Sequence, residues 1–160
     1  MRNAGEILAS LINQNGYRNI VEIGVFKGTT CKHILRHCQI AQYFLVDPVI
    51  HGAFDIDLKK EPVSFMKMTS VEASRFINNK CLDLVYIDAN HKYDFVKQDI
   101  FKWLPKIRSG GIISGHDYID GIKNGVSKAV NELFKKESIN LETDSSDTNQ
   151  KIKVWWVYVE

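Results

Sequence analysis

Cysteine is scarce and odd in number: Cys31, Cys38 and Cys81 are the only three, with no CxxC spacing among them. Neither a disulfide framework nor a zinc knuckle is suggested, and free thiols are expected. Charge of one sign is equally lacking. The 21 basic and 19 acidic side chains nearly cancel, so no global field draws the chain to nucleic acid or to an anionic membrane. Lys135-Lys136, and Lys151 and Lys153 near Trp155-Trp156, are short basic clusters without a sustained stripe, and they read as solvated charge. The amino terminus, Met1 to Leu11, carries Arg2 and Glu6 among its apolar positions. It has neither a signal-peptide core nor a membrane span, and a cytoplasmic location is expected. Internal repeats and low-complexity tracts are absent, and Glu142 to Gln150 is the only polar, structureless stretch.

What is present suits one core. With 160 residues, of which 44% are hydrophobic and 11% aromatic, the chain is expected to form a single domain over residues 1–160. From Asn19 to Val25 the apolar run Ile20, Val21, Ile23, Val25 is too short for a helix and ends in glycines, as in a strand buried on both faces. Thr29 to Cys38 then spaces Cys31, Ile34, Leu35 and Cys38 as a helix lying on a sheet. The alternation recurs: strands at Tyr43 to Asp47, Phe65 to Thr69, Leu82 to Asp88 and Ile112 to Ser114, with helices at Val71 to Ile77, Tyr93 to Leu104 and Ile122 to Phe134. Ser109-Gly110-Gly111 reads as the turn before the fifth strand, and Asn140 to Thr143 with Lys153 to Val159 as a terminal hairpin. Such an order predicts a doubly wound α/β domain: a parallel sheet with an antiparallel edge. Ligands bind such sheets outside the carboxyl ends of the strands.

Those strand ends carry the chemistry. Glu22-Ile23-Gly24-Val25-Phe26-Lys27-Gly28-Thr29-Thr30 stands where the first strand turns into a helix, and Gly24 and Gly28 permit close backbone approach. The turn serves either a cofactor or tight chain reversal. Phe26 occupies the position of the middle glycine in the dinucleotide fingerprint, which argues against NAD. Asp47 ends the second strand roughly twenty residues on, the separation at which an acid reaches ribose hydroxyls, although Asp47-Pro48 also reads as a plain strand-ending turn. After the third strand, Thr69-Ser70-Val71 offers adenine contacts or a helix cap. Asp88, Asn90 and His91 follow the fourth strand, and His116-Asp117 the fifth. Carboxylates and imidazoles converging there can coordinate a divalent cation such as Mg2+ or Mn2+, or exchange a proton with substrate. Within this group Asn90 and Asp117 are the residues most suited to capping the helices that follow.

On the motifs VEIGVFKGTT, LVDP, DLVYIDANHKYDFVKQDI and LPKIRSGGIISGHDY, the chain resembles the class I S-adenosylmethionine-dependent methyltransferases, in the small-molecule branch that includes macrocin O-methyltransferase. The resemblance implies a Rossmann-like seven-stranded sheet in the order 3-2-1-4-5-7-6 with strand 7 antiparallel. It also implies S-adenosylmethionine as cofactor, bound by Glu22, Gly24, Phe26, Gly28, Thr29, Asp47, Ser70 and Asp88. In metal-dependent relatives, acids at the positions of Asp88, His116 and Asp117 hold magnesium. Histidine at one of the three leaves a metal ligand or a general base open, and His91 is a second candidate base. The expected activity is O-methylation of a hydroxylated small molecule, a sugar or glycan precursor, with Asp88, His91 and His116 catalytic. A catalytically idle cofactor-binding module or partner-dependent subunit is the alternative, and N-methylation or an NAD-dependent oxidoreductase are further readings. No substrate-covering insertion is evident, so a homodimer is one source of cover. Trp155, Trp156 and Tyr158 supply aromatic surface for it, or simply pack an edge strand.

Overall fold

The computed structural model describes residues 2–59, 62–121, 124–149 and 151–160. The chain opens with helix α1 (Ala4–Asn15), whose start is set by a reciprocal capping box. Asn3 Oδ1 accepts from the Glu6 amide at 3.0 Å, and the Glu6 carboxylate accepts from the Asn3 amide at 2.8 Å. Its Ile7, Leu8, Leu11 and Ile12 are buried.

Strands β1 (Asn19–Ile23), β2 (Gln42–Val46), β3 (Val63–Met66), β4 (Leu82–Ile87), β5 (Ile107–Ile119), β6 (Asn140–Thr143) and β7 (Ile152–Tyr158) form one sheet in the order β3-β2-β1-β4-β5-β7-β6. The first five are mutually parallel, and β7 runs antiparallel to both its neighbours. Successive β1 residues point to opposite faces, which makes two cores. Ile20, with Leu84 of β4, packs beneath α1 and α2 (Thr29–His37), against Leu8 and Ile34. Val21 and Ile23 face α4 (Tyr93–Trp103) and α5 (Gly125–Leu133), against Ile100, Trp103 and Val130. The sheet order, the antiparallel strand and the terminal hairpin are those expected from the sequence. No helix among the described residues is long and apolar enough to cross a membrane.

Several boundaries differ, each for a local reason. The third strand ends at Met66 because Thr69 is drawn off as the cap of α3 (Ser70–Ala73), closing a second capping box with Glu72. That helix stops short of Ile77, and the Ser74 hydroxyl bonds back to the Val71 carbonyl. The expected turn at Ser109-Gly110-Gly111 lies inside β5. Gly110 takes φ +76°, and the ladder with β4 shifts register between Leu82 and Leu84, so the glycines bend the strand without ending it. The last helix begins at Gly125 under an Asn124 cap, and Ile122 and Lys123, where the sequence pattern starts it, lie outside the described residues. Trp155 is fully buried, so core packing accounts for it, whereas Tyr158 is exposed.

Candidate active site

Because β1, β2, β4 and β5 are parallel, their carboxyl ends meet along one edge of the sheet. There Gly24 adopts φ +87°, and a Cβ on it would lie 2.2 Å from the Asp88 carbonyl oxygen. Only glycine lets the exits of β1 and β4 pass so closely. Asp47 braces the turn: its Oδ2 accepts from the Val25 and Phe26 amides at 2.9 and 3.3 Å, and its Oδ1 from the Val49 amide at 2.9 Å. Phe26 is held at φ +48°, is 62% exposed and rests its ring 4.4 Å from that of His51.

Two clefts open at this edge. One, of about 590 Å3, brings together Gly24, Phe26, Asp47, Ser70, Asp88 and His91. Ser70 is fixed there by the Trp103 indole N–H, which donates to its Oγ at 2.8 Å. The other, of about 610 Å3, is walled on one side by Gly5, Thr29 and Thr30 at the amino ends of α1 and α2, and on the other by Tyr86, Asp88 and His116. Asp88 lines both. Of the expected cofactor residues, Glu22 and Gly28 line neither. Gly28 caps α2 at φ +73°, with the Phe54 ring 3.1 Å from where a Cβ would stand. Glu22 is buried and accepts from the Tyr43 hydroxyl at 2.6 Å. Burial pushes its carboxyl up to about 8 against the pull of that hydrogen bond, and the nearby charges of Asp88 and Asp47 push the same way.

Between the clefts lies a cluster of acids and imidazoles. His91 Nε2 is 3.4 Å from Asp88 Oδ1 and 3.2 Å from Asp117 Oδ2. His116 Nδ1 is 3.1 Å from Asp117 Oδ2 and 4.0 Å from Asp88 Oδ1. Asp117 reaches inward from a bulge in β5, at φ +57°, where the register with β7 shifts between Gly115 and Tyr118. Its carboxylate thus belongs to the cluster and caps no helix, and Asn90 does not cap α4 either: Lys92 holds the cap position, and Asn90 Oδ1 only accepts from the Lys92 amide at 3.0 Å before the helix begins. One atom each from Asp88, His116 and Asp117 fall within 4.8 Å of one another. Two carboxylates and an imidazole at that spacing are a donor set that fits a divalent cation.

Sequence reasoning missed Asp144. It follows β6 in the segment read as a polar loop, yet it is only 2% exposed, and its Oδ2 lies 2.8 Å from His116 Nε2. Its place at the end of a strand was the only signal. Burial pulls the His116 imidazolium down, but Asp117, Asp88 and Asp144 together outweigh it and raise its pKa to about 9. Burial raises Asp117 and Asp144 in turn, and their hydrogen bonds overcome this, holding both below the usual carboxylate value. The hydrogen bond to Asp88 raises His91.

A seven-stranded sheet in this order, with a glycine turn after β1 and acids at the ends of β2 and β4, defines the class I methyltransferase fold. A sequence profile described as Methyltransferase domain matches residues 21–118, more than half the chain. The chain belongs to this family of S-adenosylmethionine-dependent methyltransferases. Among solved structures, the rRNA methylase from Streptococcus thermophilus superposes with a TM-score of 0.73 at 11% identity, covering 99% of this chain and 98% of that one. An O-methyltransferase from Bacillus cereus in complex with SAH gives 0.69 at 16%, covering 96% and 80%. The N-methyltransferase NodS from Bradyrhizobium japonicum WM9 gives 0.65 at 12%, covering 96% and 94%. At such identities the likeness is one of fold. No protein of curated function matches the sequence.

Proposed function

We propose that the protein binds S-adenosylmethionine across both clefts and transfers its methyl group to a hydroxyl of a small molecule. The observation that carries this is the position of Asp88, which forms the shared wall of the two clefts and belongs to the acid and imidazole cluster. The adenosine half fits the cleft with Asp47 and Ser70. The amino-acid half fits the other, which the amino ends of α1 and α2 line, and helix amino ends favour a carboxylate. That arrangement sets the methyl-bearing sulfur beside Asp88. SAH in the Bacillus cereus structure is in keeping with this cofactor.

In the transfer, an acceptor oxygen attacks the methyl carbon, the S–CH3 bond breaks as the O–CH3 bond forms, and the sulfonium becomes a neutral thioether. Alignment supplies most of the rate, and one proton must leave the acceptor. His91, half exposed and bonded to Asp88 and Asp117, is placed to take it. Asp88, His116 and Asp117 would hold a divalent cation, which supplies a Lewis acid to lower the acceptor hydroxyl's pKa. A sugar or glycan precursor as acceptor rests on the sequence resemblance. Incubation with methyl-labelled S-adenosylmethionine and a panel of hydroxylated sugars and amino sugars tests this: label in an ether-linked methyl supports it, and label only on amine nitrogen overturns it.

A further inference from the structure

His116 stands between two carboxylates, and they are not equivalent. Toward Nδ1 lies Asp117, 3.1 Å away and 21% exposed, whose Oδ2 also meets His91. Toward Nε2 lies Asp144, 2.8 Å away with its side chain 3% exposed. Asp144 is itself tied down, for its Oδ1 accepts from both the amide and the hydroxyl of Ser146 at 2.7 Å. Its Oδ2 is paired with His116 Nε2, and losing the Nε2 proton would leave a buried carboxylate oxygen facing a ring lone pair. Asp117 faces Asp88 and His91 across the open cluster, where a cation in place of the Nδ1 proton still leaves its Oδ2 with a positive partner. The asymmetry favours Nε2 as the nitrogen that keeps its proton.

We propose that Asp144 is a positioning residue that holds His116 in the Nε2–H form and so presents Nδ1, beside Asp88 and Asp117, as a ligand atom for a divalent cation. The proposal rests on the metal-binding part of the functional reading and is independent of the methyl donor and acceptor. A carboxylate that orients a ligating histidine through its second nitrogen fixes the ring and raises its basicity, and losing it typically weakens metal binding 10–100-fold. His116 is then the feature that departs from an all-oxygen site, and an imidazole ligand favours first-row ions such as Mn2+ over Mg2+.

Two measurements test this without methyl transfer. Free Mn2+ is followed by electron paramagnetic resonance against the wild type, Asp144→Asn, and Glu132→Gln as a surface control. Asp144→Asn is expected to bind Mn2+ 10–100-fold more weakly, with the control unchanged. Equal affinity in wild type and Asp144→Asn, or no binding by wild type, overturns the proposal. Because Asp144→Asn can also perturb folding, a 15N histidine spectrum of Zn2+-loaded wild type gives a variant-free check. It is expected to show His116 protonated at Nε2 and metal-shifted at Nδ1, and protonation at Nδ1 contradicts the proposal. Binding of S-adenosylhomocysteine in chelator is read separately, so failure here leaves the cofactor assignment standing.

Discussion

Gly24 and Asp88 meet so closely that any side chain on the first would enter the backbone of the second, a Cβ lying 2.2 Å from the carbonyl oxygen. The glycine turn is therefore a joint between two strand exits as well as the floor of a cleft. Gly24→Ala adds a left-handed conformation to that clash, and a loss on the order of 2–4 kcal/mol in unfolding free energy is expected. Urea titration followed by circular dichroism checks it, and an unchanged midpoint would show that the turn is looser than described.

Asp47 spends both oxygens on amides of the surrounding loops. If it also receives the ribose hydroxyls, Asp47→Ala weakens S-adenosylhomocysteine binding by roughly 1–3 kcal/mol. The same change loosens the turn at Phe26, so stability is measured alongside affinity. Full affinity in the variant rejects the ribose placement.

The Glu22 carboxyl is buried and raised from its ordinary 4.5 to about 8. A raised folded-state pKa means that folding takes up a proton, so the contribution is fully present below about pH 4.5 and is lost as pH rises through about 8. Glu22→Gln keeps a partner for Tyr43 without the charge. Its melting temperature is expected to fall less than the wild type's between pH 5 and pH 9, by the equivalent of a few kcal/mol at most. Parallel melting curves across that range would remove Glu22 from the pH response.

Trp103 is fully buried and donates to Ser70 at the cleft. Trp103→Phe keeps most of the apolar volume but strips the hydroxyl of its donor, and a cost of about 1–2 kcal/mol in stability is expected. Adenosine binding should weaken with it, as read by titration with S-adenosylhomocysteine. Retained affinity would show that Ser70 needs no support.

Much of this was legible because strand ends in an α/β sheet announce themselves. The run LDLVYID and its terminal Asp88 placed one catalytic candidate, and His116-Asp117 another, since a short apolar β-rich run bounded by turn residues reads as a buried strand. Gly110 and Gly111 hid the true length of β5, because glycine marks a bulge and a turn with the same letter. Glu22, expected at the cofactor, lies on the α1 face with its carboxylate buried and bonded to the Tyr43 hydroxyl, and it lines neither cleft. Asp144 escaped because it sits in a stretch whose polar composition reads as a solvated loop, while the partner that gives it a role, His116, lies 28 residues away on β5.

The central claim is that the two clefts flanking Asp88 are one cofactor site. Calorimetric titration of the purified protein with S-adenosylhomocysteine, repeated with NAD, tests it most directly. One-to-one saturable binding of S-adenosylhomocysteine with no heat from NAD is the predicted result, and binding of NAD, or silence toward both, would contradict it.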